Sequence, residues 1–356
     1  CTVGNTQGWD STLRTFTNRG DSILAEEFTF SSASETAHAN GLKIIPVAVD
    51  LEGIVPEKLN DLLSAWEGPM PKLLYTIPTG QNPTGGTISL ERRKKVYEIC
   101  KHYDILIIED EPYYFLQMDD YKPNHTTEAD LPPVPTREEF IKELVPSYLS
   151  LDTDGRVIRL DSFSKVLAPG TRLGWIVAQE RFIERYLRQH EVTIQVASGF
   201  SQTLLNGLLH RWGHDGYIDW LIQLRRNYTL KRNAALDSME KYLPKDICEW
   251  IAPSAGMFFW VKVDASKNPN YDTPKFHKDP SEVEEHLYDE GIANGVLMIP
   301  GHWFVIEDER KSVKVSRDGR KDMFFRGTFA SVKPEALDTG LKRFGEVLRS
   351  DYKLTQ

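Results

Sequence analysis

The sequence predicts an α/β fold in which a mostly parallel central sheet is flanked by helices and followed by a smaller α+β domain. Three observations favour this fold. Short β-rich runs alternate with helical stretches through the first half of the chain. Residues 105–108 form a continuous apolar run, which is typical of a strand covered on both faces. Polar residues follow several of these runs directly, at the position where a parallel sheet binds its ligands.

The elements of this sheet can be assigned in chain order from their hydrophobic periodicity and from the turn residues between them. Residues 22–26 follow an Asn-Arg-Gly-Asp turn, and residues 73–77 run into a segment rich in proline and glycine. The predicted strands are residues 22–26, 44–49, 73–77, 105–108, 157–160 and 173–178. The predicted helices are residues 9–16, 56–66 and 90–102.

Residues 119–156 interrupt this alternation, because they are rich in aspartate, proline and threonine. One short helix is predicted among them, over residues 137–144. We interpret the segment as a surface insertion.

The second half of the chain begins with helical patterns over residues 181–212 and 219–243, and Pro244 ends the second pattern. The elements predicted after it are a strand over residues 256–263, a helix over 281–290, a charged loop over 307–322 and a helix over 333–348. This order predicts a large domain over residues 1–212, which includes the insertion. An interdomain helix and a small domain would occupy residues 213–356.

Composition excludes several classes of function. The formal net charge of −9 argues against nucleic-acid binding, and no apolar run approaches the ~20 residues needed to span a membrane. Three scattered cysteines predict no disulfide framework and favour a reducing compartment. We therefore expect a cytoplasmic protein. The chain begins with Cys1 and already resembles the interior of a domain, so we expect a missing N-terminal segment, and a mitochondrial location stays open.

The most informative motif is Ser-Phe-Ser-Lys, which ends at Lys165 and follows a predicted strand. Arg172 stands seven positions later. A lysine at a strand exit, beside hydroxyl groups and a cation, suits an amine that forms a Schiff base next to a phosphate. Taken alone, the motif favours a solvated surface lysine, because most lysines are surface charges.

Asp110 follows the apolar run at residues 105–108 and could pair with the ring nitrogen of a pyridine cofactor. It could also cap a turn. A magnesium ligand of the Walker type would need a glycine-rich phosphate loop, which the sequence lacks. Tyr113 and Asn82 could donate to the oxygen of the same ring, although a half-buried aromatic residue and ordinary turn chemistry explain them as well.

A phosphate could bind near the N-terminus, where the glycine-led residues 4–8 precede a helix and offer backbone N–H groups. Ser162, Ser164 and Arg172 could complete the phosphate site. Arg326 stands in an apolar context and needs an anionic partner, either a substrate carboxylate or a structural Asp or Glu.

No metal site is predicted. His210 and His214 have the i, i+4 spacing of zinc ligands on a helix, but the glutamate of His-Glu-x-x-His is replaced by Arg211. Residues 170–174 also lack the glycine spacing of a dinucleotide-binding loop.

In this order, the motifs Asn-Pro-Thr-Gly at 82–85, Asp-Glu-Pro-Tyr at 110–113 and Ser-Phe-Ser-Lys at 162–165 with Arg172 resemble those of a known family. The chain resembles the fold-type I, class I/II aminotransferases that use pyridoxal 5′-phosphate. It is most similar to their fungal and eukaryotic aromatic and 2-aminoadipate, or kynurenine-type, branch. The resemblance extends over nearly the whole chain.

The resemblance implies roles for individual positions. Lys165 matches the Schiff-base lysine, Asp110 the partner of the ring nitrogen, and Arg326 the arginine that binds the substrate α-carboxylate. The remaining matches are Tyr113 and Asn82 to the ring oxygen, Asn82 also to substrate, Phe30 to the stacking aromatic, and Asn5, Thr6, Ser162, Ser164 and Arg172 to the phosphate. The sequence departs from the family at Asn5-Thr6, often Ser-Gln, and at Phe30, often tyrosine.

The family further implies transamination between an aromatic or 2-aminoadipate-type L-amino acid and a 2-oxo acid such as 2-oxoglutarate. It also implies a homodimer with active sites at the subunit interface. Two other functions remain open on the same fold: a pyridoxal-phosphate-dependent lyase or decarboxylase, and a non-catalytic effector-binding domain of a transcription regulator.

Overall fold

The computed structural model describes residues 1–308 and 321–354. The central part of the predicted charged loop, residues 309–320, therefore lies outside the described residues. The strands are β1 (Ser22–Glu26), β2 (Lys43–Val47), β3 (Val49–Asp50), β4 (Gly53–Ile54), β5 (Leu73–Thr76), β6 (Leu106–Asp110), β7 (Val157–Ser162), β8 (Gly174–Val177), β9 (Cys248–Glu249), β10 (Phe258–Asp264), β11 (Ile299–Pro300) and β12 (Asp322–Thr328).

Ten α-helices are assigned within the described residues, together with short 3-10 turns. They are α1 (Asn5–Phe16), α2 (Ser31–Ala39), α3 (Pro56–Ser64), α4 (Leu90–His102), α5 (Arg137–Glu143), α6 (Tyr148–Leu151), α7 (Glu180–Val192), α8 (Gly199–Tyr242), α9 (Pro280–Ala293) and α10 (Pro334–Tyr352).

The larger sheet has six strands in the order β2-β1-β5-β6-β7-β8, and only the β7–β8 pair is antiparallel. Successive residues of its central strands enter two different hydrophobic clusters. Ile107 and Val157 pack on one face of the sheet, whereas Ile108 and Ile158 pack on the other. The continuous apolar runs are thus explained by burial on both faces, and the prediction of a mostly parallel sheet is confirmed.

The smaller sheet is antiparallel, in the order β11-β12-β10-β9. Phe259 and Phe325 of this sheet pack with Leu236 of α8 and Phe344 of α10 in a separate core. The strands of the larger sheet all lie within residues 22–177 and those of the smaller sheet within residues 248–328. The domain division at residues 212 and 213 stays a prediction.

Several predicted elements differ from the structure. The helical run over residues 181–212 is two helices, because residues 193–198 leave the helix between α7 and α8. The break predicted between the two long helices is present within α8, because Gly213 has non-helical backbone angles, with φ 64° and ψ −176°. Helix α1 begins at Asn5 rather than at residue 9, so the predicted glycine-led turn is reduced to Gly4. No helix in the described parts of the chain is long and apolar enough to cross a membrane.

The insertion is anchored to the larger sheet. Its helix α6 begins above Glu109, whose carboxylate accepts from the backbone N–H groups of Tyr148 at 2.7 Å and Leu149 at 3.1 Å. Phe140 and Tyr148 are fully buried. The interpretation as a purely surface segment is therefore wrong for these positions, because two large aromatic side chains and a buried carboxylate fix them to the core.

Candidate active site

A cavity of about 310 Å³ lies beyond the carboxyl ends of β5, β6 and β7, within the usual size range of ligand pockets. The structure brings every site residue predicted from the sequence to this one cavity. They are Asn5, Thr6, Phe30, Asn82, Asp110, Tyr113, Ser162, Ser164, Lys165, Arg172 and Arg326. The remaining lining residues were not singled out in the sequence: Trp9, Ala33, Tyr75, Ile77, Pro112 and Phe258.

Asp110 is the last residue of β6, and the residue is 6% exposed. Its Oδ1 accepts from Asn5 Nδ2 at 2.6 Å, and its Oδ2 accepts from the Tyr75 hydroxyl at 2.6 Å. Burial raises the pKa of Asp110 to about 6, whereas the hydrogen bonds from Tyr75 and Asn5 oppose this rise. Both oxygens are held by side chains rather than by turn N–H groups, which does not fit the capping alternative.

Lys165 follows β7 by three residues and is half-buried at the cavity wall. Burial lowers its pKa, and the positive charge of Arg172 lowers it further. A lower pKa leaves more of the amine neutral and nucleophilic near pH 7. The amine forms no hydrogen bond or ion pair with the residues that the structure describes, so it is available to a ligand.

Three donor groups converge at one corner of the cavity. The Arg172 guanidinium donates from Nη1 to Ser164 Oγ at 3.2 Å and from Nη2 to the carbonyl of Val3 at 3.2 Å. Helix α1 begins beside it, with Gly4 as N-cap at a φ of 83° and no side-chain cap. A Cβ at Gly4 would lie 2.5 Å from Arg172 Nη2, so only glycine admits this approach. A helix N-terminus, an arginine and a serine hydroxyl together suit a phosphate.

Arg326 of β12 lines the cavity from the smaller sheet. Its Nη1 donates to Asn82 Oδ1 at 2.7 Å, and its guanidinium lies 4.5 Å from the Phe258 ring centroid and 4.7 Å from that of Phe304. It forms no ion pair with any acid in residues 1–308 or 321–354, which does not fit the structural Asp or Glu alternative. Burial lowers the pKa of Arg326. Because no described acid pairs with it, the guanidinium is available to bind a ligand carboxylate.

The side walls are aromatic and apolar. Tyr113 is buried, and burial raises the pKa of its hydroxyl, whereas the nearby Asn82 side chain opposes this rise. Its ring makes an edge contact with Phe258 at 5.9 Å between centroids. Phe30 stands at the N-cap of α2 and lines the cavity beside Ala33.

These residues fit pyridoxal 5′-phosphate. The phosphate corner, the uncommitted amine of Lys165 and the buried carboxylate of Asp110 are the three polar features that such a group needs. A metal ion finds no comparable set, since no group of three or more His, Cys, Asp or Glu suited to metal binding exists among the described residues. His210 and His214 flank the kink of α8 at Gly213.

Comparison with known proteins gives a consistent result. The family profile "Aminotransferase class I and II" matches residues 1–344. "Aromatic amino acid aminotransferase C56E4.03" of Schizosaccharomyces pombe is 46% identical over 359 residues, covering 99% of this chain and 72% of the relative. The mitochondrial "Kynurenine/alpha-aminoadipate aminotransferase" of Bos taurus is 32% identical over 356 residues, covering 98% of this chain and 73% of the relative.

Two solved structures are similar over the whole described fold. The aminotransferase Aro8 of Candida albicans has a TM-score of 0.93 and 52% identity, covering 99% of this chain and 72% of that one. The kynurenine aminotransferase of Pyrococcus horikoshii, solved with PMP and with kynurenine as substrate, has a TM-score of 0.78 and 27% identity, covering 100% of this chain and 75% of that one.

Proposed function

Because the chain belongs to the class I and II aminotransferase family, we propose that it transfers the amino group of an aromatic or 2-aminoadipate-type L-amino acid to a 2-oxo acid such as 2-oxoglutarate. Its fold is the fold-type I α/β fold of these enzymes. The observation that carries the proposal is the convergence of Lys165, Asp110, Arg172 and Arg326 on one cavity. Membership of the family implies the use of pyridoxal 5′-phosphate and of amino-acid and 2-oxo-acid substrates.

The chain would hold the cofactor through complementary groups at each end. The phosphate would be bound at the N-terminus of α1, by backbone N–H groups at Asn5 and Thr6, and by Ser162, Ser164 and Arg172. Asp110 would pair with the ring nitrogen, Tyr113 and Asn82 would bind the ring oxygen, and Phe30 would stack on the ring. When bound, pyridoxal 5′-phosphate supplies an electron sink that stabilises negative charge at the substrate Cα.

Lys165 is the acid and base of the reaction. Its neutral amine takes the proton from the substrate Cα, and the ammonium later returns a proton. The lowered pKa of this amine supports the assignment, because a base must be partly neutral at working pH. Arg326 binds the substrate α-carboxylate and thereby orients the Cα–H bond toward Lys165.

The walls of the cavity favour an aromatic donor. Trp9, Phe30, Ile77 and Phe258 give it an apolar lining, which suits a ring more than a second charged group. The names of the compared relatives, aromatic and kynurenine/alpha-aminoadipate aminotransferase, agree with this range. A panel of phenylalanine, tyrosine, tryptophan, kynurenine, 2-aminoadipate and methionine, each with 2-oxoglutarate, tests the order.

The reaction itself is tested with the Lys165→Ala variant. We expect loss of turnover and of the visible absorbance of the lysine-bound cofactor, because no other described lysine lines the cavity. The exposed Lys94→Ala variant is the control and should retain both signals. Turnover or absorbance that persists in Lys165→Ala would refute the proposal.

Product analysis separates transamination from the lyase and decarboxylase alternatives, since only transamination yields a 2-oxo acid and a new amino acid in equal amounts. The four compared proteins are all named aminotransferases.

We also propose that the chain functions as a homodimer. Five apolar side chains are exposed between the end of α7 and the start of α8, and we call this stretch the apolar ridge: Leu187, Val192, Val196, Phe200 and Leu204. Phe200 is 93% exposed and Val192 is 83% exposed. Apolar side chains clustered in this way are typical of a surface that another subunit covers.

A further inference from the structure

Tyr75 holds one oxygen of the Asp110 carboxylate. It lies in β5, which neighbours β6, and its register places it beside Ile108, two residues before Asp110. The side chain is 1% exposed, and its ring is tilted against Trp9 with 4.6 Å between centroids. The packed ring fixes the direction of the hydroxyl, which donates to Asp110 Oδ2 at 2.6 Å.

Asn5 holds the other oxygen from a different element. Its Nδ2 donates to Asp110 Oδ1 at 2.6 Å and to the carbonyl of Leu160 at 3.0 Å. The Leu160 carbonyl belongs to the backbone of β7 and sets the rotation of the Asn5 amide. The two carboxylate oxygens of Asp110 therefore accept hydrogen bonds from two different elements, from Tyr75 of β5 and from Asn5 of α1.

The negative charge of Asp110 is not balanced by a cation, because Asp110 forms no ion pair with the part of the chain that the structure describes. Two other carboxylates, Asp161 and Glu26, act against its negative charge, and the remaining titratable groups in interaction with it are the hydroxyls of Tyr75 and Tyr113. Burial raises the pKa of Tyr75, so this hydroxyl remains a donor throughout the working pH range.

We propose that Tyr75 is a positioning residue that, together with Asn5, fixes the Asp110 carboxylate in direction and keeps it ionised against the ring nitrogen of the cofactor. Tyr75 acts through Asp110. The inference rests on the proposed function, because it assumes that Asp110 faces that nitrogen.

The hydrogen bond from Tyr75 lowers the pKa of Asp110 and so opposes burial, which raises that pKa to about 6. Removing the hydroxyl therefore raises this pKa further, and the carboxyl becomes protonated at higher pH than in the wild type. In a variant without the hydroxyl, the loss of affinity for the cofactor should be largest near pH 6–7. It should shrink as pH rises, because Asp110 is then ionised in both the variant and the wild type.

The test uses Tyr75→Phe, which keeps the ring and removes only the hydroxyl. Affinity is measured for pyridoxal 5′-phosphate and for its analogue in which the ring nitrogen is replaced by CH. We expect affinity for the natural cofactor to fall about tenfold at pH 7, as for loss of a hydrogen bond to a charged group. Affinity for the analogue should change less than about twofold, since it offers no nitrogen to Asp110.

The matched control is Tyr148→Phe. Tyr148 is equally buried, but its hydroxyl has no hydrogen-bond partner among the described residues, and it lies outside the cavity. This variant should bind both compounds as the wild type does. Asn5→Ala is the second test variant, because it removes the donor from the other oxygen of Asp110. It should lose more affinity for the natural cofactor than for the analogue.

Three outcomes would overturn the inference: unchanged affinity in Tyr75→Phe, an equal loss for both compounds, or a defect that does not shrink with rising pH. If Tyr75→Phe fails to fold, an equal loss for both compounds in Asn5→Ala decides against it. Failure of the proposed function is seen separately, as activity or absorbance that survives Lys165→Ala.

Discussion

Glu26 is a buried acid at the end of β1 that supports the site without lining it. Its Oε1 accepts from Thr76 Oγ1 at 2.9 Å, and its Oε2 accepts from Ile77 N and Gln81 Nε2, both at 3.1 Å. These bonds hold the segment that carries Asn82. Burial raises the pKa of Glu26 to about 7 from an ordinary value of 4.5.

The raised pKa of Glu26 makes the stability of the folded protein depend on pH. The folded protein binds the Glu26 proton more tightly than the unfolded chain, so this group contributes stability below about pH 4.5 that is lost as pH rises through about 7. Glu26→Gln should therefore raise the free energy of unfolding at pH 8 by on the order of 2 kcal/mol and flatten its dependence between pH 5 and 8.

Urea unfolding of the cofactor-free protein at several pH values measures this prediction. The amide can donate to Thr76 and accept from Ile77 N, so the hydrogen bonds survive the substitution. Exposed Glu67→Gln is the control and should follow the wild-type curve. A Glu26→Gln protein that is less stable than wild type at pH 8 would contradict the raised pKa.

At the scale of residues, part of the polar site could be predicted because Asn82, Asp110 and Lys165 each follow a predicted strand. The aromatic part could not. Tyr75, Trp9 and Phe258 look like core residues in the sequence, since nothing in a β-rich run distinguishes a hydroxyl that holds a buried carboxylate from one that merely packs. The only signal was the alternation of β5, which places Tyr75 and Ile77 on the same face.

At the scale of elements, the loop after β5 meets the loop before β10 backbone to backbone. Gly80 has a φ of 58°, and a Cβ there would lie 2.5 Å from both Cα and N of Gly256. The loop also carries Asn82, which receives the hydrogen bond from Arg326. Close contact of two glycines therefore sets the spacing between the two sheets across the cavity.

Gly80→Ala should move this loop as well as strain it. We expect a loss of stability of about 2–4 kcal/mol and an increase in KM for the amino acid, because Asn82 and Arg326 separate. Gly68→Ala is the control, since Gly68 also has a positive φ of 87° but no atom within 4 Å of the added Cβ. It should lose only about 1 kcal/mol and keep its KM. Equal effects of the two substitutions would show that the contact with Gly256 is unimportant.

Elements with strong periodicity or clear turn residues could be predicted, and helix α4 was predicted with its observed ends. Helix α2 was missed because only Ala33 and Ala37 of it are buried, and two alanines give little hydrophobic pattern. The break at residues 193–198 was missed for the opposite reason. Its residues include apolar side chains that continue the helical pattern although they leave the helix.

At the scale of the whole molecule, the mostly parallel sheet could be predicted from the apolar runs, whereas the antiparallel direction of β8 could not. Both directions place residues 173–178 beside β7, and the turn through Arg172 decides between them. Quaternary structure is equally invisible in local patterns, because an exposed phenylalanine looks like a buried one until the fold is known.

The proposed dimer gives a test at this scale. Phe200→Glu should shift the protein to monomers in sedimentation velocity experiments at micromolar concentration, because it places a charge in the apolar ridge. Since Phe200 is 93% exposed, the fold of the monomer should persist. Val134→Glu, an exposed apolar position in the insertion, should leave the association unchanged. A monomeric wild type would refute the proposal.

The setting of Arg326 has a consequence for ligand recognition. Its guanidinium contacts two aromatic rings and is hydrogen-bonded to Asn82 before any ligand arrives, so little conformational freedom is lost when an acid docks. Compounds that combine a carboxylate with a flat ring therefore meet a ready-made receptor even when they lack an amine. Aromatic acids of this kind should compete with the substrate, and their affinity should depend more on ring shape than on flexible linkers.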